Sequence, residues 1–197
     1  MKKLSIEKLC YFDCGPIDLC LESQQLLGLS GASGSGKTQL LRALSDMEAH
    51  TGDVILDNVN QQSIPAHQWR KQVALIPAET VWWFDTVGEH FANIPSQQIK
   101  QLGFDSDISG WSVSRLSSGE KQRLGLLRAI QLKPKVLLLD EPTANLDRNN
   151  TALVESFIQV YLEQFQAAAI WVSHDVEQLQ RICTQRYEIT GGRLALC

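Results

Sequence analysis

Gly31-Ala32-Ser33-Gly34-Ser35-Gly36-Lys37-Thr38 decides the reading of this chain, because it satisfies G-x-x-x-x-G-K-[ST] at every position. Glycines let the backbone turn tightly enough for its N–H groups to converge on phosphate oxygens, and a helix starting at the end of the turn adds its positive pole. Lys37 is placed to reach the β and γ phosphates of a nucleoside triphosphate, and the Thr38 hydroxyl to ligate Mg²⁺. The flanks agree with this. Leu26 to Leu29 is a brief apolar run leading into the turn, and Gln39 to Asp46 has helical spacing behind it. Strand (Leu26–Ser30), glycine turn, helix is the order that an α/β nucleotide-binding unit requires.

Working outward, Val136-Leu137-Leu138-Leu139 is apolar without alternation, as expected of a strand in the middle of a parallel sheet covered on both faces. It runs into Asp140-Glu141, two acids at the carboxyl end of a strand, where α/β sheets place their ligands. Asp140 is suited to hold Mg²⁺ directly or through water. Glu141 can orient or deprotonate an attacking water. Ala168 to Val172 reads as a second buried strand and Leu153 to Phe165 as an amphipathic helix.

Toward the N-terminus, Leu4 to Phe12 and Ile17 to Leu21 read as strands around a Cys14-Gly15-Pro16 turn. Gly52 to Asn58 is a strand ending in a turn, and Val73 to Ile76 a short strand closed by Pro77. Thr86-Val87-Gly88-Glu89 has the form of a capping box and predicts a helix starting near Val87, in a polar, helical to irregular segment that ends before Leu116. Tyr187-Glu188-Ile189 and Arg193 to Leu196, joined by Gly191-Gly192, predict a final hairpin.

With 197 residues, 44 % of them hydrophobic, there is material for one well-packed domain and hardly for two. The formal charge of −4 gives no general attraction to nucleic acid or anionic lipid. No apolar run approaches the roughly 20 residues of a membrane-spanning helix. Met1-Lys2-Lys3-Leu4 is not followed by the long apolar stretch of a signal peptide, so a cytoplasmic location is expected. Cys10, Cys14, Cys20, Cys183 and Cys197 lack paired metal-site spacing and read as reduced thiols.

Leu116-Ser117-Ser118-Gly119-Glu120-Lys121-Gln122-Arg123 resembles the signature motif of ATP-binding cassette (ABC) ATPases, whose usual form is Leu-Ser-Gly-Gly-Gln. Ala144-Asn145-Leu146-Asp147 resembles the family's D-loop, and Ser173-His174-Asp175 its switch histidine. The resemblance thus runs from the strand before Gly31 to His174. It implies an α/β P-loop fold with a mainly parallel core sheet, an N-terminal antiparallel β part and a short helical subdomain at about residues 80–130, residues 1–197 forming one nucleotide-binding domain. It also implies ATP and Mg²⁺ as cofactors, and two copies, or this chain and a related ATPase, closing head to tail on ATP. Each nucleotide would lie between one subunit's glycine loop and Ser117 and Gly119 of the other. His174 would contact the γ-phosphate and hold the water with Glu141, and Asp147 would lie at the dimer contact. Ser117-Ser118-Gly119-Glu120 is equally a good helix N-cap, and the two readings are compatible. His50, His67 and His90 have no such motif support.

Two departures from the family pattern bear on the site. Ser118 and Glu120 replace the usual Gly and Gln of the signature, which leaves backbone donors in place provided no positive φ is needed. After Val73–Ile76 the family carries a glutamine; here Pro77-Ala78-Glu79 stands instead, with Ala78 at that place, and Glu79 is the candidate replacement ligand for Mg²⁺. Tyr11 or Phe12 is the candidate to stack on adenine, a role in the strand core being the alternative. Trp82-Trp83-Phe84 reads either as a wedge onto the sheet or as a contact surface, the resemblance implying a short helix of a membrane-embedded partner there.

The resemblance therefore implies the ATP-hydrolysing subunit of an ABC transporter, peripheral on the cytoplasmic face of the membrane, working with separate transmembrane permease subunits. A soluble ABC ATPase acting on DNA or the ribosome is the alternative. It is disfavoured because the chain carries neither a long coiled-coil insertion nor tandem cassettes, and because its charge is acidic. A plain P-loop kinase conflicts with Leu116–Glu120.

Overall fold

The computed structural model describes residues 2–94, 96–104 and 107–197. In chain order the strands and helices are β1 (Lys2–Tyr11), β2 (Cys14–Glu22), β3 (Leu26–Ser30), α1 (Lys37–Leu44), β4 (Thr51–Leu56), β5 (Val59–Asn60), α2 (Ala66–Gln72) and β6 (Val73–Ile76). There follow α3 (Ser96–Gln101), α4 (Ser118–Ile130), β7 (Val136–Asp140), α5 (Arg148–Phe165), β8 (Ala168–Val172), α6 (Val176–Ile182), β9 (Gln185–Thr190) and β10 (Arg193–Leu196).

Two sheets organise the molecule. A six-stranded sheet has the order β10-β9-β3-β8-β7-β6, parallel throughout except for the β9–β10 hairpin. A four-stranded antiparallel sheet has the order β2-β1-β4-β5. The apolar run in β7 divides between two cores. Val136 and Leu138 face α1, Trp69 of α2 and the antiparallel sheet, while Leu137 and Leu139 face α4, α5 and α6. Helices on one side and a sheet with helices on the other explain why β7 and β8 are buried along their whole length.

The two-residue turn between β1 and β2 is Phe12-Asp13, with Phe12 at φ 47 and Tyr11 paired with Cys14, so the turn comes before Cys14-Gly15-Pro16 and those residues belong to β2. α2 carries no strong periodic signal in sequence. It is anchored by Trp69, fully buried, whose Nε1 donates to the Leu44 carbonyl at 2.8 Å.

The helix expected from Val87 is only one 3₁₀ turn, Gly88–His90. Glu89 accepts from both the Thr86 N–H (2.9 Å) and the Thr86 hydroxyl (2.6 Å), but no backbone N–H of the following turn donates to that hydroxyl, so the box is half formed. The Val87 and Gly88 amides bond across to the carbonyls of Trp111 and Ser109. Both are first-turn amides, which a helix would leave unpaired within itself; the turn stops because Phe91 takes an extended backbone, at φ −124 and ψ 133. Between residues 80 and 117 the described residues hold only α3 and two 3₁₀ turns, Gly88–His90 and Val113–Arg115, so α4 supplies most of the helix in the expected helical subdomain.

Candidate active site

The strand order sets the site. β3, β8, β7 and β6 lie side by side, and their register places Leu29 beside Val172, Val172 beside Asp140, and Leu139 beside Ile76. The segments leaving them at the carboxyl edge, Gly31–Thr38, Ser173-His174, Asp140-Glu141 and Pro77–Glu79, therefore emerge in one row.

The glycine turn needs its glycines for different reasons. Gly36, the residue before α1, has φ 100, and a Cβ there would lie 3.0 Å from Cys14 Sγ. Gly31 has φ 143, and its Cβ would meet the Ile189 carbonyl and Ser35 Oγ at 2.8 Å. The turn is thus clamped between β2 and β9 at its two ends, with no room for a side chain at Gly31 or Gly36. Lys37 is buried at the first position of α1, and its ammonium donates to the carbonyls of Gly31 (2.8 Å) and Ala32 (2.9 Å). An ammonium has three N–H bonds, so one is left for an anion in the turn.

The Thr38 hydroxyl donates to Asp140 Oδ2 at 2.8 Å, joining residues far apart in sequence. A hydroxyl and a carboxylate side by side at a phosphate cradle are a fitting oxygen pair for Mg²⁺. Asp140 is buried and Thr38 is exposed, so the pair opens to solvent on the Thr38 side, where the phosphates would lie.

Glu141 follows in the left-handed region, at φ 49, a conformation that costs a non-glycine residue about 1–3 kcal/mol. Its N–H donates to the Val172 carbonyl (3.1 Å), and its own carbonyl accepts from the Gln122 side chain (2.9 Å) and the Ala144 N–H (3.2 Å). Held this way, its Oε1 lies 3.3 Å from His174 Nε2. That oxygen is buried and has no aligned hydrogen bond, so the contact is one of charge and proximity. Burial pushes the Glu141 carboxyl above the usual glutamate range, against the pull of His174 and Lys37, with Asp140 adding to the rise. A carboxylate with raised proton affinity, next to an exposed imidazole, suits a base acting on water.

A second cluster sits at the start of α4. Ser117 is its N-cap, accepting from the Glu120 N–H at 3.2 Å, while the Ser117 N–H and hydroxyl both reach Glu120 Oε2 at 2.8 Å. The Glu that replaces Gln in the signature thus completes a capping box. Gly119 has no positive φ; a Cβ there would lie 2.9 Å from Leu146 Cδ2 and 3.3 Å from the Asn145 carbonyl. Close packing, not backbone freedom, requires that glycine. Asp147 caps α5, accepting from the Asn150 N–H and side-chain amide at 2.8 Å, and these donors lower its pKa. Among the described residues no hydrogen bond or ion pair joins Ser117, Gly119 or Asp147 to the glycine turn.

Other expected residues separate. Glu79 is exposed and shares no hydrogen bond or ion pair with Thr38 or Asp140, and no group of three or more His, Cys, Asp or Glu side chains among the described residues gathers as a metal site. Tyr11 is buried beneath Gly36 and is core, whereas Phe12 is 69 % exposed.

Of the aromatic run, Trp82 packs partly onto the core, while Trp83 (62 %) and Phe84 (48 %) are exposed. The Arg128 guanidinium stacks on both indoles, at 4.7 and 4.6 Å, and donates to the Val81 carbonyl. Sequence reasoning missed the residue that shapes this loop. His90 Nδ1 donates to the Thr86 carbonyl (2.9 Å), so Nε2 is the acceptor for the Trp83 and Phe84 N–H groups (3.0 and 3.1 Å). Gln122 was missed too. Its only signal is its place within the quoted Leu116–Arg123 stretch.

The sequence model of the ABC transporter family matches residues 14–144. The chain is 32 % identical over 174 residues to the Fe(3+) ions import ATP-binding protein FbpC of Vibrio cholerae, covering 82 % of this chain and 50 % of that protein. It is 30 % identical to a methionine import ATP-binding protein of Pseudomonas syringae, covering 90 % of this chain and 58 % of that one. The chain thus spans about half or somewhat more of the length of these relatives. A probable iron export ATP-binding protein of Escherichia coli is 28 % identical, with 83 % and 78 % covered. Among solved structures, the ATP-binding subunit of an ABC transporter aligns with a TM-score of 0.87 at 18 % identity, over 99 % of this chain and 89 % of that one. A dimeric post-hydrolysis ATP-binding cassette bound to ADP and Pi aligns at 0.82 and 17 %, over 97 % and 96 %.

Proposed function

The chain belongs to the ABC transporter family, and from that premise we propose that it binds and hydrolyses ATP as the nucleotide-binding subunit of a transporter whose membrane subunits are separate chains. The observation that carries this reading is the row of strand ends. It sets a phosphate cradle, the Thr38–Asp140 pair and the Glu141–His174 pair along one edge of the sheet.

In this reading residues 1–197 form one ATPase domain. The amides of Gly31–Thr38 and the spare Lys37 N–H hold the phosphates, and the exposed Phe12 is the ring available to adenine. Thr38 and Asp140 would hold Mg²⁺, which neutralises phosphate charge when bound. Glu141, kept basic by burial, orients and deprotonates the attacking water, and His174 holds the γ-phosphate side of the same space. Ser117 and Gly119 serve the nucleotide of a second copy or of a related ATPase, and Asp147, at the N-terminus of α5, lies at that contact. Trp82 and Trp83 face the membrane partner. No described helix is long and apolar enough to cross a membrane, so attachment to the cytoplasmic face would run through that partner. Relatives named for import and for export are both present, so the direction of transport and the cargo belong to the partner.

The test is Glu141→Gln. With turnover blocked, saturating ATP-Mg²⁺ should convert the purified chain, alone or with its membrane subunits, into a dimer resolved by light scattering. A variant that binds ATP and remains monomeric under both conditions refutes the sandwich.

A further inference from the structure

Gln122 lies in α4 and is only 4 % exposed. Its Nε2 donates to the Glu141 main-chain carbonyl at 2.9 Å, while its Oε1 is buried with no partner. A flipped amide would set oxygen against oxygen, so the carbonyl decides the orientation.

Glu141 is a non-glycine residue at φ 49, and such a backbone persists only where its surroundings over-determine it. Two of its three polar restraints are main-chain bonds, to the Val172 carbonyl and from the Ala144 N–H. The third, Gln122, is the one restraint that comes from a helix. The same helix begins at Ser117, and Gly119 seats it against Asn145 and Leu146, just beyond Glu141.

We propose that Gln122 is a positioning residue for hydrolysis: its amide holds the Glu141 carbonyl and so fixes the left-handed backbone that aims the Glu141 carboxylate beside His174. Because Gln122 rides on α4, the aim of Glu141 depends on where that helix stands. Contact between Ser117 and a second copy's nucleotide is thereby registered at this copy's own water-activating carboxylate. This deepens the proposed function and rests on the reading of Glu141 as the group that acts on water.

The experiment measures steady-state ATP turnover and equilibrium ATP binding on the full chain, with its membrane subunits where turnover requires them. Gln122→Met keeps the length and removes the donor. Its kcat should fall about ten-fold, as for the loss of one hydrogen bond's worth of transition-state positioning, with ATP affinity within about two-fold of wild type. Gln122→Glu provides a readout that a merely structural role would not move. An ionised carboxylate cannot donate to the carbonyl and a protonated one can, so its kcat relative to wild type should recover as the pH is lowered. Unchanged kcat in Gln122→Met, or a loss of ATP affinity as large as the loss of turnover, overturns the proposal. Should that variant fail to fold, a pH-independent ratio for Gln122→Glu overturns it instead. Glu141→Gln run in parallel separates the two layers: if it hydrolyses ATP at the wild-type rate, the reading of Glu141 fails. If it is inactive while Gln122→Met is wild-type, only the role of Gln122 fails.

Discussion

Gly125 occupies the middle of α4, where replacing glycine by alanine should stabilise a helix by about 0.8–1 kcal/mol. The structure calls for the opposite. A Cβ at Gly125 would lie 2.9 Å from Thr80 Cβ and 3.2 Å from its Oγ1, and closer still to Cγ2. Thr80 cannot swing away, because its hydroxyl donates to the Lys121 carbonyl and accepts from Trp82 Nε1, both at 3.1 Å. Relief must come from moving the whole strap that leads to Trp82. Overpacking of this kind costs about 1–3 kcal/mol, and losing one of the Thr80 hydrogen bonds adds about 1. After the propensity gain is subtracted, Gly125→Ala should be destabilised by about 2 kcal/mol. For a chain of this length that lowers the melting temperature by about 4–8 °C, measurable by circular dichroism or calorimetry. Adding Thr80→Ser removes Cγ2 and keeps the hydroxyl, so the double variant should regain about 1 kcal/mol, a coupling that a double-mutant cycle isolates. A Gly125→Ala protein that melts at or above wild type would refute the packing of α4 against this strap.

Three further outcomes follow from the site and its flank. Burial, the largest cause, raises the Glu141 pKa in the folded state, so turnover should decline on acidification while the pH is still above the usual carboxylate range, as the base becomes protonated. The same shift makes ionised Glu141 a liability to the fold above its folded pKa. Glu141→Gln should therefore be the more stable protein near neutrality, with the difference vanishing below the unfolded-state value; unfolding at several pH values checks the sign. Trp83→Ala removes an exposed indole stacked on Arg128, for a stability loss of about 1 kcal/mol or less, and should abolish co-purification with the membrane subunits while ATP affinity holds. Undiminished co-purification would assign that contact elsewhere.

Phosphate chemistry was legible in the chain because it depends on local backbone: the glycines, lysine and threonine of residues 31–38 act within one turn and the first residues of one helix. The buried strands at 136–140 and 168–172 were legible as well, since covering both faces of a strand leaves an uninterrupted apolar run. Wherever the outcome hinged on partners distant in sequence, local pattern failed. The capping box at Thr86 looks helical, yet the segment is tied to Trp111 and Ser109 and leaves its single turn at an extended Phe91, and His90 is an unremarkable histidine until the chain folds back over it. Glu79 is one position from a ligand's place and only the fold shows it exposed.

The sequence by itself determined that this chain has a phosphate turn, two acids at the end of a buried strand and the motif order of a family of ATPases. Only the tertiary structure decided which carboxylates meet which partners: Asp140 with Thr38, Glu141 with His174, Glu120 with Ser117. The physical reason is that periodicity and turn chemistry act over a few residues, whereas strand order and helix packing set distances between residues far apart along the chain.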